Sequence, residues 1–185
     1  RDQPRSRGLG DVYKRQEVTL VDFQDIDAVK ANLRENTKVL YFETPTNPNL
    51  KLVDITAISE IAHKHNPDIK VIVDNTFCTP YLQRPLDMGA DVVIHSATKY
   101  LNGHGDVIAG MAAGKVDFIT ECSMFGLKDM TGAVIGPFEA FLINRGLKTL
   151  DIRVKKHCES ALEIAKYLEN HPCLLYTSPS PRDRG

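Results

Sequence analysis

Residues 69–105 read IKVIVDNTFCTPYLQRPLDMGADVVIHSATKYLNGHG. Two apolar runs in it, IKVIV and DVVIHSA, are rich in β-branched residues and too short for helices, which predicts two buried strands. The first ends on Asp74, and the second runs into Ser96, Thr98 and Lys99. A carboxylate, two hydroxyls and a primary amine therefore arrive where two strands stop. In open α/β sheets that carboxyl edge is where ligands bind.

Toward the amino terminus, KVLYF (38–42) predicts another strand, stopping at Glu43. The next segment, TPTNPN (44–49), has two prolines and two asparagines, so it must be a loop. With parallel strands, that loop carries Asn47 to the same edge as Asp74. Asp54 then caps a helix, DITAISEIAHKH, with Ile55, Ile58, Ile61 and Ala62 on one face. Strand, helix and strand make the right-handed crossover of a parallel sheet. Further out, Asp25 caps IDAVKANLR, a helix expected to end near Asn36, and EVTLVD (17–22) alternates like a short strand.

Toward the carboxyl terminus, the Thr79-Pro80 and Arg84-Pro85 steps force irregular chain, then a short helix around Leu86 and Met88 closed by Gly89. Gly103 and Gly105 permit a sharp turn or a close backbone approach to a ligand. Residues 107–113 carry no charge and predict a fully buried strand. From Lys115 the pattern turns helical, ending near Gly126. Residues 137–170 then read as one long helical stretch interrupted at Gly146. Its expected apolar face is Phe138, Phe141, Leu142, Leu150, Val154, Cys158, Ala161, Leu162 and Ala165. The alternation of strands and helices predicts a three-layer α/β/α domain with a mostly parallel sheet.

The groups at 74 and 96–99 suit one kind of chemistry. An amine nucleophile for a carbonyl cofactor must shed its proton, which burial and neighbours arrange. A pyridine ring used as an electron sink needs a carboxylate such as Asp74 to keep its nitrogen protonated. Short hydroxyl donors such as Ser96 and Thr98 suit a phosphate. Each residue also has a plainer reading: Asp74 as a cap for the following turn, Ser96 and Thr98 as local backbone caps, Lys99 as a solvated surface amine. Cys78, His95 and His104 read as packing or hydrogen-bonding residues and are given no role.

The two ends read differently from the body. DVYKRQ (11–16) and CLLYTS (173–178) can be encoded by complementary DNA strands, which predicts a translated sequencing adaptor on both sides. Residues 1–16 and 173–185 are therefore expected to be non-native flank. Without them 16 basic and 21 acidic residues remain, a net charge of −5. A mildly acidic, well-mixed body argues against nucleic acid or an anionic membrane as partner. Three cysteines remain in the body, Cys78, Cys122 and Cys158, with no metal-like spacing. Free thiols in a reducing compartment are expected, with the cytoplasm as the default. No apolar run approaches membrane-spanning length.

The segments ETPTNPN, VDNTFCTPYLQRPL, GADVVIHSATKYLNGHGDVIAG and GLKDMTGAVIGPFEAFLINRGLKTL together resemble the pyridoxal-phosphate enzymes of cysteine and methionine metabolism. The resemblance covers residues 17–172. Within that family GLKDMTG is more similar to the methionine gamma-lyases than to cystathionine gamma-lyases or the synthases. It implies an incomplete large domain of the aspartate-aminotransferase-like type, fold type I, over residues 17–136. Residues 137–172 would be a helical segment leading toward a further, carboxyl-terminal domain.

The resemblance further implies that Lys99 of SATK holds pyridoxal 5'-phosphate covalently and moves protons on the substrate. Asp74 would pair with the pyridine nitrogen, Ser96 and Thr98 would hold the phosphate, and Asn47 would bond the phenolic oxygen. Glu43 would support them, with a structural salt bridge as its equal alternative. Lys128 and Asp129 would face the substrate, or be an ordinary exposed ion pair. The activity implied is gamma-elimination on a sulfur amino acid, methionine giving methanethiol, 2-oxobutanoate and ammonia, by a homotetramer. Cystathionine gamma-lyase, cystathionine gamma-synthase and homoserine-ester sulfhydrylase chemistry on the same scaffold stay open. A nucleotide-binding α/β module is a rival of another class, but neither GxGxxG nor GxxxxGK[ST] follows any strand.

Overall fold

The computed structural model describes residues 17–172; the expected flanks lie outside them. The described residues fall in two compact units, residues 21–152 and a second made of 17–20 with 153–172.

In the first unit four strands form one sheet in the order β1 (Val39–Glu43), β2 (Lys70–Asp74), β3 (Val92–Ser96) and β4 (Gly110–Gly114). The first three are parallel, and β4 returns antiparallel to β3. This is the mostly parallel α/β architecture the alternating pattern predicts. Helix α1 (Ile26–Asn32) precedes β1, and α2 (Ile55–His65) makes the crossover from β1 to β2. A one-turn helix α3 (Thr79–Leu82) and a 3-10 turn (Pro85–Met88) lie between β2 and β3. Gly89 closes that turn at φ +100°, a left-handed conformation open to glycine.

The sheet's pleat explains the core. Alternate residues Phe42, Val71 and Val73 share one face and join Val29 of α1 with Ile55, Ile58 and Ala62 of α2 in a single buried cluster. Residues of the other face are less covered, and Tyr41 stays 53% exposed. Both helices start where an aspartate can cap them. Asp25 Oδ1 accepts from the Asp27 and Ala28 amides, and Asp54 Oδ1 accepts from Ala57 N at 3.0 Å. At the amino ends of the strands Asp91 Oδ2 takes a hydrogen bond from Val71 N at 2.9 Å and sits 2.8 Å from His63 Nε2 of α2. That carboxylate staples helix to sheet.

Several elements depart from the sequence reading. Residues 17–22 form no strand, and Val18 and Leu20 are exposed; alternation marks an amphipathic ribbon, but a strand also needs a partner ladder. α1 stops at Leu33, whose amide turns back to Lys30 O, rather than near Asn36. The strand expected fully buried over 107–113 is β4, and four of its five residues are exposed. Lack of charge in GMAAG reflects small residues, not depth. Gly114 is the tight point, since a Cβ there would lie 2.7 Å from Asp91 O.

Helix α4 (Val116–Glu121) does not end near Gly126. It widens into a π-helical stretch, Cys122–Thr131, and stops at Gly132 with φ +64°. The last helical stretch is two helices, α5 (Pro137–Leu147) and α6 (Leu150–Glu169). The break falls after Gly146, at 148–149. Gly146 lies within α5, where a Cβ would overlap the carbonyl oxygen of Asn102, so the glycine lets the helix press on the loop that follows Lys99. The expected apolar face is largely uncovered. Phe138, Phe141 and Leu162 are exposed, while Ile143, Leu150 and Val154 are buried.

The second unit holds most of α6. Its carboxyl end is closed locally by Asn170 Nδ2 donating to Lys166 O at 2.8 Å and by an edge-on contact of Tyr167 with His171. Among the described residues no helix is long and apolar enough to cross a membrane.

Candidate active site

Glu43, Asp74 and Ser96 are the last residues of β1, β2 and β3, so three neighbouring parallel strands end on polar side chains. Glu43 and Asp74 are register partners, which sets the two carboxylates on one face of the sheet. Tyr41 lies on that face two residues before Glu43. Partial burial, then Asp74, then Glu43, push its phenol above the ordinary range. The phenol therefore stays protonated beside the acids.

Each acid is held by the chain that follows it. Asp74 Oδ1 accepts from Thr76 N at 2.9 Å, the capping turn foreseen as its plainer role. The bond leaves Oδ2 without a hydrogen bond among the described residues. Glu43 Oε2 accepts from Asn47 N at 2.9 Å and so shapes the 44–49 loop rather than forming a salt bridge. Asn47 is exposed at the same edge. Thr76 does a second job: its Oγ1 accepts from Ser96 N at 2.8 Å, tying the ends of β2 and β3. Ser96 Oγ itself is left without a partner among the described residues. Thr98 turns the other way, taking Ala109 N at 3.0 Å and reaching Ala109 O at 3.4 Å. Its hydroxyl is spent on the loop, with only the long second bond easily exchanged.

Lys99 sits in the turn after β3 and is exposed. Lys99 N bonds Ser96 O, Gly103 N bonds Lys99 O at 2.7 Å, and buried Asn102 donates to both Ala97 O and Asp106. The turn that carries the amine is thus closed by its own backbone. His95 is half-buried beside Asp74. Burial lowers its pKa from the ordinary 6.5, the Asp74 charge and the Asn75 backbone pull the other way, and Nδ1 has no partner. Lys128 and Asp129 lie on the π-helical stretch and pair with each other at 3.7 Å, both exposed. No hydrogen bond or ion pair links them to the strand ends among the described residues.

The profile of the family described as "Cys/Met metabolism PLP-dependent enzyme" matches residues 7–178. The chain belongs to this family. It is similar to the L-methionine gamma-lyase of Treponema denticola, 63% identical over 158 residues, which cover 85% of this chain and 39% of that protein. The L-methionine gamma-lyase of Porphyromonas gingivalis is 58% identical over the same shares. A crystal structure of cystathionine gamma-lyase from Lactobacillus plantarum complexed with L-serine superposes with a TM-score of 0.80 at 42% identity. That match covers 91% of this chain and 44% of the other. The chain spans about two fifths of the length of the curated relatives it matches. The expected family and the fold-type-I α/β class are those found.

The donor set fits pyridoxal phosphate. Such a group asks for an amine, a carboxylate opposite its ring nitrogen and donors for its phosphate. Asp74 with a spare oxygen at the end of β2, Ser96 with a spare hydroxyl at the end of β3 and Lys99 in the turn after β3 are groups of those types. Sequence reasoning missed Thr44, Asn75, Thr76 and Gln83, all polar and, apart from half-buried Gln83, buried at this edge. Only the polar pair after Asp74 hinted at them; Gln83 reaches a partner 39 residues away, which no local pattern reports.

Proposed function

We propose that the whole protein is a carbon–sulfur lyase that splits methionine, with water, into methanethiol, 2-oxobutanoate and ammonia. What supports this reading is that Asp74 and Ser96 end neighbouring strands, with Lys99 in the turn that follows β3, in a chain 63% identical to a named L-methionine gamma-lyase. Pyridoxal phosphate, when bound, supplies a ring that accepts electrons from the substrate's Cα. Asp74 would keep the ring nitrogen protonated through its free Oδ2. Ser96 Oγ would donate to the phosphate, and Thr98 would join it by giving up its long bond to Ala109 O. Asn47 would bond the phenolic oxygen, steadied through its amide by Glu43. Lys99 would hold the group covalently and, released by substrate, take a proton from Cα and return one further along the chain. Lys128 and Asp129 would face the substrate from the π-helical stretch.

In this reading residues 17–136 are part of the cofactor domain and residues 137–172 lead out of it. The exposed apolar residues of 122–141, among them Phe125, Met130 and Phe138, suit burial against further protein in a homotetramer. Cys78, Cys122 and Cys158, none of them in a disulfide among the described residues, suit the cytoplasm. A second reading, cystathionine cleavage, has its own support in the Lactobacillus plantarum neighbour.

The test uses the full-length protein. Borohydride should bleach a yellow chromophore and fix the cofactor to residue 99, and Lys99→Ala should abolish that fixation. Headspace thiol from methionine, measured against cystathionine cleavage, decides the substrate: no thiol from methionine removes the first reading in favour of the second.

A further inference from the structure

Behind Asp74 lies a buried polar knot that the proposed chemistry does not use. Asn75 is 0% exposed, and all of its polar groups are engaged. Its N donates to Ile94 O and its carbonyl accepts from Thr79 N, both at 2.9 Å. Its side chain is paired reciprocally with one residue: Asn75 Nδ2 donates to Gln83 O at 2.9 Å, and Gln83 Nε2 donates to Asn75 Oδ1 at 2.9 Å. The second hydrogen of Gln83 Nε2 reaches Thr44 O at 3.3 Å. Thr44, 2% exposed, is the first residue after β1; its N points to Asp74 O at 3.4 Å and its Oγ1 accepts from Val53 N.

One amide therefore links the end of β1 to the end of β2. The link is also held from its far side. Gln83 N bonds Thr79 O at 3.2 Å, and Thr79, fully buried and β-branched, adopts φ +59°. Such a residue enters the left-handed region at a conformational cost that surrounding contacts must over-determine. A saturated, buried network of this kind fixes a geometry rather than adding much net stability.

We infer that Gln83 is a positioning residue whose side-chain amide sets the spacing between the Asn47 loop and Asp74, and so the width of the cofactor site. The inference rests on the proposed roles of Asp74 and Asn47. Removing the amide leaves Asn75 Oδ1 buried without its donor and leaves the start of the 44–49 loop tied to β2 by the long Thr44 N–Asp74 O bond.

The experiment compares wild type, Gln83→Met, which keeps the volume and loses both donors, and Gln83→Asn, which keeps the amide on a shorter arm, all in the full-length protein. Two readouts are taken besides melting temperature: the dissociation constant of pyridoxal phosphate added back to the cofactor-free protein, and the pH midpoint of its visible absorbance. Gln83→Met should weaken cofactor binding about tenfold, as expected of a buried group left unpaired, and move the midpoint. Gln83→Asn should fall between. A purely structural glutamine would lower the melting temperature alone. A folded Gln83→Met with cofactor binding within about twofold of wild type and an unmoved midpoint overturns the inference. Should that variant not fold, the same limits applied to Gln83→Asn decide. Lys99→Ala is run alongside: persistent borohydride fixation there would refute the role of Lys99 and leave the Gln83 comparison standing.

Discussion

The two ends of the parallel strands are built from similar residues and differ in what is left over. At the amino ends Asp91 spends one oxygen on both Val71 N and His63, flanking Ile69 and Ala90 are buried, and Ser59 Oγ of α2, beside Gly89, is left without a partner among the described residues. At the carboxyl ends polar groups are as numerous, yet Asp74 Oδ2, Ser96 Oγ, His95 Nδ1 and the Lys99 amine have no partner among the described residues. Polar groups that answer each other hold a fold together, while those left with spare capacity await something else. On the proposed function, the contrast marks the carboxyl edge of the sheet as the working one.

The comparison can be broken or sharpened by substitution, with stability read as the urea midpoint of the full-length protein. Ile58→Ala, in the core both ends share, should cost about 2–5 kcal/mol through lost burial and a cavity, and should loosen both ends together. Asp91→Ala should cost about 1–3 kcal/mol by leaving Val71 N and His63 unanswered, with cofactor affinity unchanged. If that substitution weakens the cofactor as much as the fold, the two ends are not independent.

A shallower effect comes from His95. Its folded pKa lies below the unfolded value of 6.5, so between those two values the unfolded chain binds the extra proton. Stability should be full above pH 6.5 and decline as the pH falls from there through the lowered pKa. His95→Gln should flatten that decline in a pH series of unfolding midpoints, and an unchanged slope would assign it elsewhere. Smallest of all, Lys99→Ala should change the stability of the cofactor-free protein by no more than about 0.5 kcal/mol, because the side chain is exposed, while abolishing covalent attachment of the cofactor. A large loss of stability there would make Lys99 a structural residue and erase the contrast.

The candidate site was legible because its residues sit beside strong local signals. β-branched runs ending on Asp74 and Ser96 gave the strands within a residue of their observed limits, and Asp25 and Asp54 marked helix starts through a capping bond only three residues long. The failures share one cause. Residues 17–22, β4 and the face of α5 and α6 each carry a pattern that is consistent with burial, but burial depends on what lies opposite, and the pattern is silent about that. The π-helical stretch at 122–131 was missed for a related reason, since its side chains do not repeat at the period by which helices are recognised.

By itself, then, the amino-acid order determined the family, the strand ends and the identity of the polar groups placed there, because those follow from contacts a few residues apart. Tertiary structure alone decided which of those groups are already satisfied. Thr98 is turned to Ala109, Asn75 is locked to Gln83, and Asp74 keeps one oxygen free, because hydrogen-bond capacity is settled by partners that meet only when distant segments pack.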